Sequence, residues 1–262
     1  MAKDQTVLFH STVFGPIRSR RLGVSLGINL SPSDGKVCTF DCIYCEAGYN
    51  AQGPGKTGLP DTDTVARLLE SKLKEMKAAG DPLDVITFSG NGEPTVNPHF
   101  PEIIDKVIDL RNRFYPEAKV SVLTNSTRIF TPAVAEALRK ADNNILKLDS
   151  AIEETMRLID CPTEKSFTVE KVIGSLRQFS HSGIIQTMFL RGSHNGIAID
   201  NTTDEEIDAL IRAYAAIQPR EIMIYSIDRS TPEEDLTKVE RTQLDAIADR
   251  IRQATGIPVQ VN

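Results

Sequence analysis

Three of the four cysteines in this 262-residue chain lie in one short stretch, KVCTFDCIYCEAG, from Lys36 to Gly48. Three residues separate Cys38 from Cys42, and two separate Cys42 from Cys45. A secreted scaffold distributes its cysteines over a disulfide framework, whereas close clustering of this kind is typical of a metal or catalytic site. The fold must therefore present these three side chains together on one loop.

Cysteine thiolates bind zinc or iron–sulfur clusters. A structural zinc site uses four ligands, and a fourth one from His99 or His194, both distant in sequence, stays open at this point. A cubane four-iron cluster normally takes four cysteines, so three would leave one iron open to an exogenous group. Three buried thiols that merely pack are the structural alternative, but their clustering on a polar loop disfavours it. Cys161, which stands alone before a proline, is predicted to be a free structural thiol.

From residue 24 onward, short β-branched segments alternate with amphipathic segments, a pattern that predicts β/α units around a mainly parallel sheet. The predicted strands are residues 24–30, 84–89, 119–125, 144–150, 184–192, 221–227 and 257–261. The predicted helices are residues 62–80, 98–114, 131–141, 168–180, 202–217 and 236–256. Six such units can curl into a barrel or open into a doubly wound sheet, and periodicity does not separate the two.

We predict a single domain with an N-terminal extension at 1–23, a β/α core at 24–230 and a C-terminal helix and strand at 231–262. No apolar run reaches the roughly 20 residues of a membrane helix. Asp4 and His10 interrupt the start of the chain, where a signal peptide would be apolar. The expectation is a cytoplasmic protein with no membrane partner.

The formal net charge of −6 disfavours nonspecific binding to polyanions. Arg18, Arg20 and Arg21 form the one conspicuous basic cluster of the sequence. Such a short basic run is either a solvated surface or a local phosphate-binding site, and the sequence leaves both interpretations open.

Two motifs together carry a family resemblance. The stretch CTFDCIYC, with Tyr44 before the last cysteine, resembles the cluster-binding loop of the radical S-adenosylmethionine (SAM) enzymes. After the second predicted strand, Gly90, Asn91, Gly92 and Glu93 resemble the Gly-Gly-Glu motif of that family, whose backbone holds the SAM amino group. Asn91 departs from the commonest form of the motif, but two glycines flank it and let the backbone approach a ligand closely.

The resemblance implies an α/β fold, the partial (β/α)6 barrel of the radical SAM type, with a [4Fe-4S] cluster on Cys38, Cys42 and Cys45. The open iron would chelate the amino and carboxylate groups of SAM. By resemblance, Tyr44 lies beside the adenine, and polar residues after later strands contact the rest of SAM. Those residues are Asn125, Ser126, Asp149, Ser150, Arg191 and Tyr225. Residues of this kind also serve as turn or capping residues.

In the family, the reduced cluster cleaves SAM to methionine and a 5′-deoxyadenosyl radical that abstracts hydrogen from a substrate. The resemblance therefore implies a radical SAM oxidoreductase or modifying enzyme. Because this cleavage needs a low cluster potential, we expect a flavodoxin or ferredoxin as electron donor.

Residues 14–48 together with ITFSGNGEPTVNPHF look most like the wyosine-type tRNA-modifying branch, although residues 1–37 lack the upstream cysteines of that branch. The motifs thus favour RNA modification, with tRNA as partner. The alternatives are an activating enzyme that generates a glycyl radical on a partner protein, an enzyme acting on a small molecule, and a non-catalytic iron–sulfur or zinc module.

Overall fold

The computed structural model describes residues 7–19 and 22–262, which form ten strands, seven α-helices and three short 3-10 helices. The strands are β1 (Val13–Ser19), β2 (Gly23–Ile28), β3 (Val85–Phe88), β4 (Lys119–Thr124), β5 (Asn143–Lys147), β6 (Ile184–His194), β7 (Ile197–Asp200), β8 (Glu221–Ser226), β9 (Leu236–Lys238) and β10 (Val259–Val261). The helices are α1 (Thr62–Ala79), α2 (Phe100–Phe114), α3 (Pro132–Lys140), α4 (Glu153–Asp160), α5 (Val169–Leu176), α6 (Asp204–Ile217) and α7 (Arg241–Thr255). Arg20 and Arg21 of the predicted basic cluster lie outside the described residues.

Strands β2, β3, β4, β5, β6 and β8 lie side by side in that order, and every pair between neighbours is parallel. β10 adds a further parallel strand beyond β8, and β1 pairs antiparallel with β2 at the opposite edge. Within the described residues the sheet runs from β1 to β10 without closing. The predicted partial (β/α)6 barrel is confirmed. No helix of the described chain combines the length and apolarity needed to cross a membrane.

The helices form where the sequence supplies both a cap and an apolar stripe. In α1 the side chain of Asp61 accepts a hydrogen bond from the Thr64 backbone amide, and the left-handed Gly80 ends the helix. The buried face of α1 recurs at helical spacing. Its members are Val65, Leu69, Leu73 and Met76. All four residues of β3 are buried, as expected for a central strand covered on both faces.

Several elements differ from the sequence prediction. The last helix begins at Arg241, not at residue 236, because Leu236–Lys238 forms β9 and pairs with the second half of β6. Strands β1 and β7 and helix α4 were not predicted. β1 contains Pro16, which argues against a strand in isolation, but an edge strand tolerates proline. The N-terminal extension thus contributes a strand to the sheet.

The pairing of β1 with β2 depends on the absence of a side chain at Gly27. A Cβ built there would lie 2.1 Å from Cζ of Phe14, so the Phe14 ring occupies the space above the glycine. The same ring stacks on Phe9, with a centroid distance of 3.8 Å. This contact places the segment 7–14 over the strands of the sheet.

We expect Gly27→Ala to lower the free energy of unfolding by about 1–3 kcal/mol, because the new methyl group displaces the Phe14 ring. Gly174→Ala in α5 is the control: a Cβ there meets no atom within 4 Å, and the change should raise stability by about 0.5–1 kcal/mol. Urea unfolding measures both. In the double variant Phe14→Ala/Gly27→Ala the two losses should not add, and simple additivity would contradict this packing role of Gly27.

Candidate active site

The cysteine loop follows β2 and the glycine-rich loop follows β3, so neighbouring parallel strands deliver both to one edge of the sheet. A bridge between Val37 and Gly92 joins the two loops, and the Glu93 amide donates to the Val37 carbonyl at 3.0 Å. A Cβ at Gly92 would lie 1.9 Å from that carbonyl oxygen. Only glycine allows this approach. The two loops are therefore one structural unit.

The three clustered cysteines are unpaired thiols, with Cys42 buried and the other two half-buried. Nζ of Lys147 lies 3.4 Å from Sγ of Cys42, and Nδ2 of Asn125 lies 3.6 Å from Sγ of Cys38. Among the residues described, no three His, Cys, Asp or Glu side chains converge on a single ion. A zinc site needs such convergence, whereas a cubane cluster places each thiolate on a different iron. Three separated thiols on one loop, with cationic and amide donors beside them, fit a [4Fe-4S] cluster.

The histidines considered as a fourth zinc ligand have other partners. His99 is exposed at the start of α2, with Nδ1 3.8 Å from Glu102. Nδ1 of His194 contacts Glu233 at 2.5 Å. Both histidines therefore lie in ion-pair or hydrogen-bond contacts of their own.

Two lysines, the buried Lys36 and the half-buried Lys147, face the cysteines. Lys36 is 3% exposed and donates from Nζ to the Gly48 carbonyl at 2.6 Å. Burial opposes its charge, but the Cys45, Cys38 and Cys42 side chains together raise the pKa of Lys36 above its ordinary value. The second cation, Lys147, contacts Cys42 from the end of β5. These cations offset the negative charge that thiolates bring into a desolvated loop.

Lys147 is the centre of a buried polar network. Its Nζ lies 2.7 Å from Asp149 Oδ2 and 2.8 Å from Asp160 Oδ1, and both carboxylates are almost fully buried. The Tyr44 hydroxyl contacts Lys147 and donates to Asp149. Burial raises the pKa of Asp160 to about 7, with Lys147 acting in the opposite direction. One cation thus connects the cysteine loop, the end of β5 and helix α4.

Asn91, the departure from the Gly-Gly-Glu pattern, is fully buried and directs its side chain at the N-terminal segment. Its Oδ1 accepts from the Phe9 amide at 2.7 Å, and its Nδ2 donates to the carbonyls of Phe9 and Pro32, both at 2.9 Å. The neighbouring Gly90 has a φ of 145°, and a Cβ there would meet Oδ1 of Asn29 at 2.4 Å. The amide at position 91 therefore fastens segment 7–14 to the glycine-rich loop.

Glu93 supports the loop from inside. Its carboxylate accepts hydrogen bonds from the Thr124 hydroxyl at 2.7 Å and the Asn125 amide at 2.6 Å. Burial raises the pKa of Glu93, and hydrogen bonds from Asn125 and Thr95 act against that rise. The residue ties the end of β4 to the glycine-rich loop.

The structure brings some of the later predicted residues up to the cysteine loop. Nδ2 of Asn125 donates to Thr39 at 2.9 Å, besides its contact with Cys38. Asp149 reaches Tyr44 within the loop, and its other oxygen accepts from the Met188 amide at 2.9 Å. Tyr225 packs with Tyr44 around the same small apolar cluster.

Other predicted residues have local partners. Ser126 is in the left-handed conformation and donates to the Lys147 carbonyl at 3.2 Å. Ser150 donates to Glu206 at 2.7 Å. Arg191 pairs with Asp200 at 3.0 Å across the β6–β7 hairpin. No contact described for Ser150 or Arg191 reaches the cysteine loop.

Lys36, Lys147 and Asp160 were missed by the sequence analysis. Lysine and aspartate are almost never fully buried unless they are paired. The available signal was Lys147 itself, a charged residue within the apolar segment NILKLDS. Its partner Asp160 could not be assigned, because only the packing of α4 brings it near.

Known proteins resemble this chain in sequence. The radical SAM superfamily model matches residues 33–214. The UPF0026 protein of Helicobacter pylori is 33% identical over 180 residues, covering 69% of this chain and 54% of that protein. The chain therefore spans about half the length of this relative.

Two solved structures share the fold. Streptococcus suis SuiB bound to S-adenosylmethionine matches with a TM-score of 0.63 and 14% identity, over 90% of this chain and 50% of that one. TYW1 with a lysine-pyruvate adduct bound matches with a TM-score of 0.61 and 15% identity, over 89% of this chain and 75% of that one. At these sequence identities the similarity shows a shared fold alone.

Replacing Asn91 by glycine should release segment 7–14, because three hydrogen bonds to Phe9 and Pro32 are lost. The Phe9 amide should exchange with deuterium roughly fivefold faster or more, the effect of losing one net hydrogen bond of about 1 kcal/mol. Asn91→Asp, which keeps the acceptor but buries a carboxylate against the Phe9 and Pro32 carbonyls, should accelerate exchange at least as much. Amides within α2 provide the reference, and equal exchange at Phe9 in all three proteins would refute the fastening role.

Lys147→Met leaves Asp149 and Asp160 buried without their cation. We expect it to lower the free energy of unfolding of the apoprotein by about 3–5 kcal/mol, with partial recovery in Lys147→Met/Asp160→Asn. Lys140→Met removes an ion pair with Asp105 in which both side chains are at least 40% exposed, and it should cost about 1 kcal/mol or less. Urea unfolding distinguishes these cases. A loss for Lys147→Met no larger than that for Lys140→Met would contradict the network.

Proposed function

The chain belongs to the radical SAM superfamily, and on that basis we propose that Cys38, Cys42 and Cys45 hold a [4Fe-4S] cluster at which SAM is reductively cleaved. The superfamily uses this cluster and SAM as cofactors. The observation that carries the proposal is the joining of the cysteine loop to the glycine-rich loop through the Val37–Gly92 bridge. A passive metal module has no need for that second loop.

When bound, the cluster and SAM supply a 5′-deoxyadenosyl radical for hydrogen abstraction from a substrate. The lysines beside the cysteines, Lys36 and Lys147, stabilise the thiolates by offsetting their charge. A cation close to a sulfur ligand also raises a cluster potential, so this pair sets part of the potential that the electron donor must reach. We propose a flavodoxin or ferredoxin as that donor, and a cytoplasmic location for the reaction.

SAM contacts are proposed for the residues at the ends of successive strands. Gly90, Asn91, Gly92 and Glu93 would present backbone groups to the methionine end, because the side chains of Asn91 and Glu93 are committed to internal hydrogen bonds. Tyr44 would lie beside the adenine. Contacts of the ribose, adenine and carboxylate are proposed for Asn125, Ser126, Asp149, Ser150, Arg191 and Tyr225.

The substrate hypotheses from the sequence remain proposals. The motif resemblance favours RNA, with Arg18 as a phosphate contact, and the alternative is generation of a glycyl radical on a partner protein. Arg18 is exposed in the structure. Transfer of deuterium from labelled tRNA or protein into 5′-deoxyadenosine would identify either class.

We expect Cys42→Ala to abolish cluster assembly and SAM cleavage and to preserve the fold, because it removes one ligand from a loop held by other contacts. Cys161→Ala is the matched control, since this thiol hydrogen-bonds only to the Leu158 carbonyl among described residues and should be dispensable. After anaerobic reconstitution with iron and sulfide, the assay is chromatography of 5′-deoxyadenosine formed from SAM and dithionite. Equal cleavage by Cys42→Ala and wild type would overturn the proposed ligands. A wild-type cluster that forms but never cleaves SAM would favour the non-catalytic module.

A further inference from the structure

A cavity of about 350 Å³ lies between the N-terminal segment and the strands of the sheet. Six neighbouring parallel strands contribute one lining residue or more each. Examples from the six strands are Ser25, Thr87, Leu123, Ile145, Gln186 and Met223. The opposite wall comes from Val7, Phe9 and Phe14. This volume is within the range of small-molecule sites.

Gln186 is the feature of the cavity that calls for a ligand. The side chain is 8% exposed, and its terminal amide atom assigned as Nε2 is buried without a hydrogen-bond partner. Buried polar groups are almost always paired, and an unpaired donor is destabilising. The other polar pair in the wall, Ser25 and Thr87, is satisfied, with hydroxyl oxygens 2.8 Å apart. The Nε2 atom of Gln186 has almost no surface towards the cavity, so the other end of the amide lines the wall, and it too makes no hydrogen bond to a described residue. Gln186 thus has an unpaired amide group for a bound molecule.

The remaining unpartnered buried side-chain atoms of the described chain belong to three asparagines. They are Asn50, Asn144 and Asn262. None of the three lines this cavity. Asn262 lines a different cavity, of about 240 Å³ beside β8 and α7, so Gln186 is the one of the four that lines the cavity under the N-terminal segment.

Among the charged side chains described in the cavity wall, one arginine has no oppositely charged partner. Arg229 lies 2.5 Å from Glu46, so these two charges compensate each other. Arg18 is exposed, lines the cavity and makes no side-chain hydrogen bond or ion pair with any residue that the structure describes. A molecule bound here would meet an unpaired amide group at Gln186 and a positive charge at Arg18.

The cavity adjoins the proposed cofactor site. Of the residues proposed for that site, only Cys45 and Gly90 also line the cavity. The residues proposed for the adenine and ribose of SAM do not, so SAM and the cavity ligand would occupy neighbouring spaces. This is where a substrate must lie for hydrogen abstraction.

The N-terminal segment restricts what can enter. The Val7 amide donates to the Glu46 carbonyl at 2.8 Å, and Asn91 fastens Phe9 as described above. These bonds cover the strands with segment 7–14 and leave a space of small-molecule size. A protein loop or an RNA strand would first have to displace the segment.

We propose that this cavity binds the substrate, a small organic anion that hydrogen-bonds to the side-chain amide of Gln186 and whose carboxylate or phosphate pairs with Arg18. The assignment as substrate rests on the proposed radical SAM function. The binding site itself rests only on the cavity and its residues.

The test is a ligand-observed NMR titration of the reconstituted protein with SAM present. The probes are N-acetylglycine and N-acetyl-O-phosphoethanolamine, which share an acetamide and differ in carrying a carboxylate or a phosphate. N-acetylglycinamide is the neutral control. We expect at least one anionic probe to bind and the neutral probe to bind at least roughly tenfold more weakly, and the stronger of the two anions identifies the acidic group.

Substitutions inside and outside the cavity wall test where the anionic probe binds. Gln186→Leu and Arg18→Gln should each weaken the anionic probe roughly tenfold, the loss expected for one hydrogen bond or ion pair in a cavity. Gln253→Leu and Arg67→Gln alter exposed residues of α7 and α1 and should leave the affinity unchanged. Gln186→Leu should also raise Tm, because it removes an unpaired buried donor. A lower Tm would show that Gln186 has a structural role and would overturn the assignment.

Formation of 5′-deoxyadenosine by the wild-type protein distinguishes a failure of the proposed radical SAM function from a failure of the cavity assignment. If wild type forms it while neither anionic probe binds, the proposed function stands and the cavity assignment is wrong. The cavity assignment is also wrong if labelled tRNA or protein donates deuterium without competition from the probes. If the probes bind as expected but no 5′-deoxyadenosine forms under reducing conditions, the cavity stands as a ligand site and the radical SAM proposal fails.

Discussion

The site depends on the contacts that the ammonium group of Lys147 makes. Within about 3.5 Å it meets the sulfur of Cys42 and the carboxylates of Asp149 and Asp160. Each contact comes from a different part of the fold: the cysteine loop, the end of β5 and the end of α4. A buried ion network of this kind is costly when incomplete. Its completion therefore fixes the cysteine loop against the sheet before any cofactor binds.

A second constraint is the close approach of backbone at the carboxyl ends of β2 and β3. Gly92 packs directly on the Val37 carbonyl, and Gly90 packs on Asn29. Between these glycines, Asn91 uses its amide to hold Phe9. The asparagine at this motif position thus has a structural consequence: it couples the cysteine and glycine-rich loops to the segment that covers the sheet.

The cysteine loop and the glycine-rich loop could be predicted from sequence, because their signals are local and their order along a parallel sheet puts them side by side. The six core strands could be predicted for the same reason. β9 could not, since Leu236–Lys238 becomes a strand only through antiparallel pairing with β6. The network around Lys147 and the free amide of Gln186 were also beyond prediction. Both depend on which side chains the folded sheet brings together, and a sequence pattern does not contain those distances.

The central claim is that the three cysteines hold a cluster with an open iron that SAM chelates. The most direct measurement is electron–nuclear double resonance of the reduced, reconstituted protein with SAM isotopically labelled at its amino nitrogen. Chelation predicts a hyperfine coupling between the cluster and the labelled nitrogen, which is absent in Cys42→Ala. A well-formed reduced cluster whose spectrum does not change on addition of saturating labelled SAM would contradict it.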